Sequence, residues 1–201
     1  MTATRNRQVE AEPAWEVAQL FPHQGHWSEE EYVSLTTNHL VEFSHGRIEV
    51  LPMPSEEHQD VVFRLAELLA AYVRRQGLGK VAIAPLPVQL WPGKFREPDV
   101  QFMLSQHAPR RHKNYWDGAD LVVEVVSPDD PLRDTETKRR EYANAGIPEY
   151  WIVEPVPRRI TVLVLEDERY SEAGIYTAGE QARSLLLPGF AVDVEALFAE
   201  Q

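Results

Sequence analysis

Apolar residues recur at helical spacing most clearly between Ser55 and Gly77, where Val62, Leu65, Leu69, Tyr72 and Val73, joined by Val61 and Leu68, predict one face of a long helix. Ser55 is placed to cap its start, and Gly77 and Gly79 to end it. A different pattern governs 120–128, Asp-Leu-Val-Val-Glu-Val-Val-Ser-Pro. This continuous, largely β-branched apolar run predicts a strand buried on both faces, yet Glu124 stands in its middle. A buried carboxylate is costly unless it is paired, so a cation, a hydrogen-bonded neighbour or a metal ion is implied beside it.

The remaining elements follow from shorter signals. Ser28 with Glu31 three residues on forms a capping box for a short helix reaching Thr36. Runs 40–43 and 47–51 flank Ser44-His-Gly46 and predict a hairpin. Strand pieces are expected at 81–84 and 87–91, and the turn at 91–94 leads into a strand over 97–104 that opens on Asp99. Residues 105–118 read as a polar loop. Asp134 is placed to cap a helix ending at Gly146, on which Lys138, Glu141, Tyr142 and Ala145 share one face. The strand at 150–153 follows closely, giving the strand, helix, strand order of a parallel crossover. Segment 160–165 and a weaker strand near Tyr176 predict an antiparallel extension, and 185–194, broken at Pro188-Gly189, closes the fold with a terminal turn around Leu197 and Phe198.

Composition narrows the setting. At 201 residues the chain suits one full-sized domain, expected over 28–201, preceded by an aperiodic arm over 1–27. Hydrophobic content of 43% and charged content of 26% argue against general disorder. No apolar run approaches bilayer length, the first 25 residues hold no apolar signal core, and the lack of cysteine excludes disulfides and thiolate zinc sites. A cytoplasmic location and no membrane partner are the expectation. The net charge of −12 weighs against a nucleic-acid partner, whose phosphates it repels. The two ends, 1–31 and 154–201, carry most of that excess, however, leaving 32–153 nearly balanced with 17 acids against 14 bases.

Each candidate residue has a plain structural role when taken alone. Asp99 suits a strand-start turn, Glu124 a hydrogen-bonded or arginine-paired carboxylate, and Lys138 a solvated helix face beside Arg139 and Arg140. Together they put two carboxylates and an amine on three consecutive elements. That set offers oxygen ligands to a hard divalent cation, and a cation to orient water and stabilise developing phosphate charge. No Gly-rich phosphate loop, nucleophile elbow or zinc-helix motif is present.

Pro98-Asp99, then 122–128 (Val-Val-Glu-Val-Val-Ser-Pro), then 138–153 (Lys-Arg-Arg-Glu-Tyr-Ala-Asn-Ala-Gly-Ile-Pro-Glu-Tyr-Trp-Ile-Val) resemble the Uma-type endonucleases, restriction-endonuclease-like members of the PD-(D/E)XK superfamily. The resemblance is close over 97–155 and looser at 41–48 and 54–58, spanning most of 28–195. It implies an α/β (α+β) fold, a restriction-endonuclease-like mixed β-sheet flanked by helices. It also implies Mg2+, with Mn2+ as substitute, held by Asp99 and Glu124 with the Val125 carbonyl, and DNA as substrate. The superfamily lysine stands two residues after the second acid, where this chain has Val126; the resemblance transfers its role to Lys138. Glu42 and His58 match family positions and are accessory candidates, although for His58 an ordinary hydrogen-bonding role at a helix start is the stronger reading of the residue itself. A homodimer is expected on the ground that two symmetric sites would cut both strands.

Two rivals remain at this stage. One is a nucleic-acid- or protein-binding module on the same fold, with Glu124 and Lys138 as a structural ion pair. The other, a carboxylate-pair hydrolase of sugars, has less support because nothing in the chain suggests a saccharide cleft.

Overall fold

The computed structural model describes residues 22–36, 39–127 and 130–199. In chain order, α1 (Glu29–Ser34) leads to β1 (Val41–Ser44) and β2 (Arg47–Val50), then to α2 (Glu56–Gln76). Next come β3 (Gly79–Ile83), β4 (Val88–Trp91), β5 (Lys94–Arg96), β6 (Val100–Leu104), β7 (Trp116–Asp117) and β8 (Leu121–Val125). A helical segment over 131–144, whose last part is α3 (Arg139–Asn144), joins β8 to β9 (Glu149–Glu154). β10 (Arg159–Glu166), β11 (Arg169–Tyr176), β12 (Gln181–Arg183), β13 (Ala191–Asp193) and α4 (Val194–Leu197) follow.

The central sheet has six strands in the order β11-β10-β9-β8-β6-β3, antiparallel throughout except for the parallel pair β8–β9 that the helical crossover demands. β8 is buried on both faces, as its continuous apolar run predicts. One face packs Val123 and Val125 against Val62, Leu65 and Leu69 of α2 and against Leu187 and Phe190. Val122 and Ile152 on the other face meet Tyr142 and Ile147. Alternation along the strand therefore turns Glu124, like Val122, toward the 131–144 helix. α2 is capped as expected, Ser55 Oγ accepting the His58 N–H at one end and Gly77 taking the left-handed conformation at the other. Leu68, counted in its apolar stripe, is exposed, because the buried set follows the i, i+4 row through Val61, Leu65, Leu69 and Val73.

A second sheet, β2-β1-β5-β4-β7, flanks the first. It accounts for the main departure from the expected strands. The expected turn at 91–94 leads into an additional short strand, β5, which pairs with β4 and β1 in the second sheet, whereas the strand expected over 97–104 is β6, paired with β3 and β8 in the first. The chain changes sheets at Glu97-Pro98, where proline supplies no N–H for a ladder. Segment 185–190, broken at Pro188-Gly189 as expected, is a turn between β12 and β13, and its Leu185 and Leu186 N–H groups donate to the Glu149 carboxylate, each at 2.8 Å. β11 runs a full eight residues; as an edge strand with much of its length exposed it carries little apolar pattern.

Of the expected arm, 1–21 lies outside the described residues, while its last residues join the second sheet. Gly25 and Trp27 both donate to the Gly46 carbonyl, at 2.7 and 3.1 Å, and Trp27 is buried beside Tyr32, Val41, Phe43 and Phe95. Trp116 and Trp151 are also core residues. Among the described residues no helix is long and apolar enough to cross a membrane.

Candidate active site

Where β6, β8 and α2 meet the 131–144 helix, a cavity of about 370 Å3 is lined by Asp99, Glu124, Lys138 and His58, with Glu97, Asp134 and Arg133 on its walls. Asp99 immediately precedes β6, whose Val100 lies opposite Val123 of β8, so its carboxylate reaches the next strand's backbone: Val125 N–H donates to Oδ2 at 2.7 Å. His58, in the first turn of α2, sets Nε2 3.0 Å from the Val125 carbonyl oxygen and 3.3 Å from Asp99 Oδ2. That position makes His58 part of the cavity wall rather than an isolated helix-end histidine. Burial works against its charge, but Asp99, the Val125 carbonyl and Glu124 together lift its pKa above the ordinary value.

Glu124 is only 2% exposed, and its partners come from the helix. Lys138 Nζ lies 2.8 Å from Oε2, and the Tyr142 hydroxyl donates to Oε1. Burial pushes the Glu124 carboxyl up to about 8; the Lys138 charge pulls the other way, and Asp134 and Asp99 add repulsion. Lys138 is itself buried, which disfavours its charge, yet Glu124, Asp134, Glu42 and Asp99 outweigh that and raise its pKa. Both partners are thus driven upward, and the direction that holds for the pair is a lysine that stays protonated beside a glutamate that titrates.

Asp134 is not the helix cap expected of it. The helix begins at 131, with Pro131 in the first position that suits it, and Asp134 lies inside a π-helical run, Arg133–Lys138. There it is buried, with Oδ1 3.0 Å from Lys138 Nζ. The contact is within ion-pair distance but off hydrogen-bonding angle, since that oxygen makes no hydrogen bond among the described residues.

Glu42 stands apart from the cavity as the centre of a buried ion network. Arg96 and Arg133 both donate to its Oε2, and Arg96 continues to Glu141 at 2.7 and 3.0 Å. Burial would raise the Glu42 carboxyl, but Lys138, Arg96 and Arg133 together hold it down at about 2. Glu97 is its opposite: burial drives it up to about 8, although the Val41 N–H donates to it at 2.9 Å.

Sequence reasoning missed Glu97, Asp134, Tyr142 and Arg133 as neighbours of the site. Tyr142 had been set on the Lys138 face and could have been paired with Glu124 on that ground. The partners of Arg133 lie 84 and 91 residues away and leave no local signal. Outside the site, His107 Nδ1 is 2.8 Å from Oδ1 of buried Asp120, at the opposite end of β8.

The comparison with solved structures gives the class first. The fold matches a crystal structure from Anabaena variabilis ATCC 29413 described as "a putative nuclease belonging to DUF820", with a TM-score of 0.70, 16% identity, and coverage of 86% of this chain and 97% of that one. That likeness shows the fold, a mixed sheet flanked by helices. The chain belongs to the Uma2 family, whose model, described as "Putative restriction endonuclease", matches residues 29–195. No curated relative matches the chain.

Proposed function

We propose that this chain is a Mg2+-dependent endonuclease that hydrolyses DNA phosphodiester bonds. The observation that carries the reading is the convergence of Asp99, Glu124 and Lys138, from two strands and the helix between β8 and β9, on one cavity. The donor set fits the ion. Two carboxylates and the Val125 carbonyl are hard oxygen ligands, and Glu124 is buried among negative charges that a cation would offset. Among the described residues no group of three or more His, Asp or Glu is spaced to hold a metal, so an ion here would rest on the two carboxylates, the Val125 carbonyl and water. Asp99 and Glu124 would hold it, and Mn2+ would substitute.

When bound, the cation supplies stabilisation for the charge that builds on the phosphate. The protein's own groups do the rest. Val125 N–H and His58 fix the Asp99 carboxylate, while Tyr142 fixes that of Glu124. Lys138, protonated and anchored on Glu124, orients the attacking water and offsets negative charge on the phosphate. A symmetric pair of such sites would cut both strands of a duplex.

Calorimetric titration of Mg2+ and Mn2+ into the wild type, Asp99→Ala, Glu124→Ala and Lys138→Ala, followed by plasmid cleavage with the same proteins, tests these roles. Both acid variants should lose metal, and Lys138→Ala should retain it without cutting. A wild type that binds neither ion at millimolar concentration in the presence of DNA would defeat the proposal. The 2.8 Å Glu124–Lys138 contact also suits a second reading, a non-catalytic nucleic-acid- or protein-binding module built around that ion pair. In that case Glu124→Ala should be strongly destabilising in metal-free protein, with no plasmid cleavage by any variant.

A further inference from the structure

The cavity is a poor host for a phosphodiester as it stands. Glu49, Glu97, Asp99, Glu124, Asp130 and Asp134 face it, against two permanent cations, Lys138 and Arg133. Lys138 is committed to Glu124 and Asp134 at 2.8 and 3.0 Å and is only 5% exposed. Arg133 is placed differently. Its side chain keeps 18% exposure, and its two terminal nitrogens grip the Glu49 carboxylate as a fork, Nη1 on Oε1 at 2.6 Å and Nη2 on Oε2 at 3.2 Å. That paired geometry is the one in which a guanidinium takes two oxygens of a phosphate. Glu49 itself is 59% exposed, so water can replace the arginine at its carboxylate. Nη2 also donates to buried Glu42, which would keep the guanidinium anchored and charged after Glu49 leaves.

We infer that Arg133 binds a backbone phosphate of the substrate, and that the Glu49 carboxylate occupies the guanidinium fork until that phosphate displaces it. The inference rests on the nuclease reading for the identity of the ligand, a phosphodiester of a nucleic-acid strand. It competes with a purely structural role. Glu42 and Glu49 are direct cross-strand partners in the β1–β2 hairpin, and like charges so placed repel unless a cation lies between them. A structural strap predicts that removing either charge alters stability alone; a phosphate site with a placeholder predicts effects of opposite sign on binding.

The test uses Arg133→Gln and Glu49→Gln in the full chain. Binding of a fluorescein-labelled DNA duplex is read by anisotropy with Ca2+ in place of Mg2+, with thermal melting alongside. Arg133→Gln should weaken binding by about tenfold or more, the scale of a lost charge-assisted contact. Glu49→Gln, which alters an exposed side chain and is expected to fold, should tighten it severalfold. In Mg2+ the same changes should appear in KM more than in kcat. If Glu49→Gln leaves binding unchanged or weakens it, or if Arg133→Gln binds as the wild type does, the inference is overturned even though the wild type cleaves. If the wild type binds and both variants shift as expected but nothing is cleaved in Mg2+ or Mn2+, the phosphate site stands and the nuclease reading falls. A wild type that does not bind the duplex overturns the inference outright.

Discussion

The carboxyl of Glu124 gives a pH dependence whose sign can be worked out. Burial raises it from an ordinary 4.5 to about 8 in the folded protein, so between those values the native state holds a proton that the unfolded chain has released. Stability must then fall as pH rises through that interval, because the unfolded state binds fewer protons. The contribution is fully present below 4.5 and is lost by the time pH has passed 8. At about 1.4 kcal/mol per pH unit, the interval sets a ceiling of roughly 5 kcal/mol on the loss. Glu97, raised to about 8 by burial, adds a loss of the same sign, so the two must be separated by mutation. The assay is urea unfolding of metal-free protein at several pH values between about 5 and about 9, for wild type, Glu124→Gln and Glu97→Gln. The wild type should lose stability toward alkaline pH, and Glu124→Gln should lose less. If Glu124 ligates Mg2+, the ion must displace its proton, and so should stabilise the wild type more at the alkaline end. A wild-type profile flat from acid to alkaline pH, or an undiminished slope in Glu124→Gln, would refute the assignment of a titrating carboxylate at this position.

Three further outcomes follow from the same geometry. Lys138→Met leaves Glu124 and Asp134 buried without their cation and should cost about 3–5 kcal/mol in metal-free protein, read by chemical denaturation; added Mg2+ should restore part of the loss. Tyr142→Phe removes the hydroxyl that donates to Glu124 Oε1 and should cost about 1–3 kcal/mol, with metal affinity lowered in the calorimetric titration. Gly46→Ala should lower the melting temperature, since Gly46 has φ +80° and a Cβ there would lie 2.7 Å from the Gly25 carbonyl oxygen; an unchanged melt would refute both the left-handed turn at Gly46 and its close contact with Gly25.

How much of the site could be read from the chain depends on where each residue's partners lie. Glu124 was legible because the pattern around it is strict: a run buried on both faces has no tolerated place for a carboxylate without a partner, and the structure buries β8 completely. The strand, helix, strand order was legible for a similar reason, since apolar period and end signals act within a few residues. Asp134 was misread because aspartate before a helical run is a common cap. The competing signal, Pro131 at the first helical position, was present and would have moved the start by four residues, from 135 to 131.

The π-helical run that carries Arg133, Asp134 and Lys138 has no comparable marker. It is a change of helical register in a segment that buries Asp134 and Lys138 and half-buries Arg133, and such runs recur at functional sites. The ion network has no marker either. Arg133 meets Glu42 and Glu49 only because β1 and β2 pair and the 131–144 helix lies over them, so its role exists in the assembled fold and nowhere in the local sequence. The same distance gives that contact its use. A cation held by one buried and one exposed glutamate can release the exposed partner without losing its position or its charge. No arrangement of neighbouring residues on a single helix would separate those two tasks.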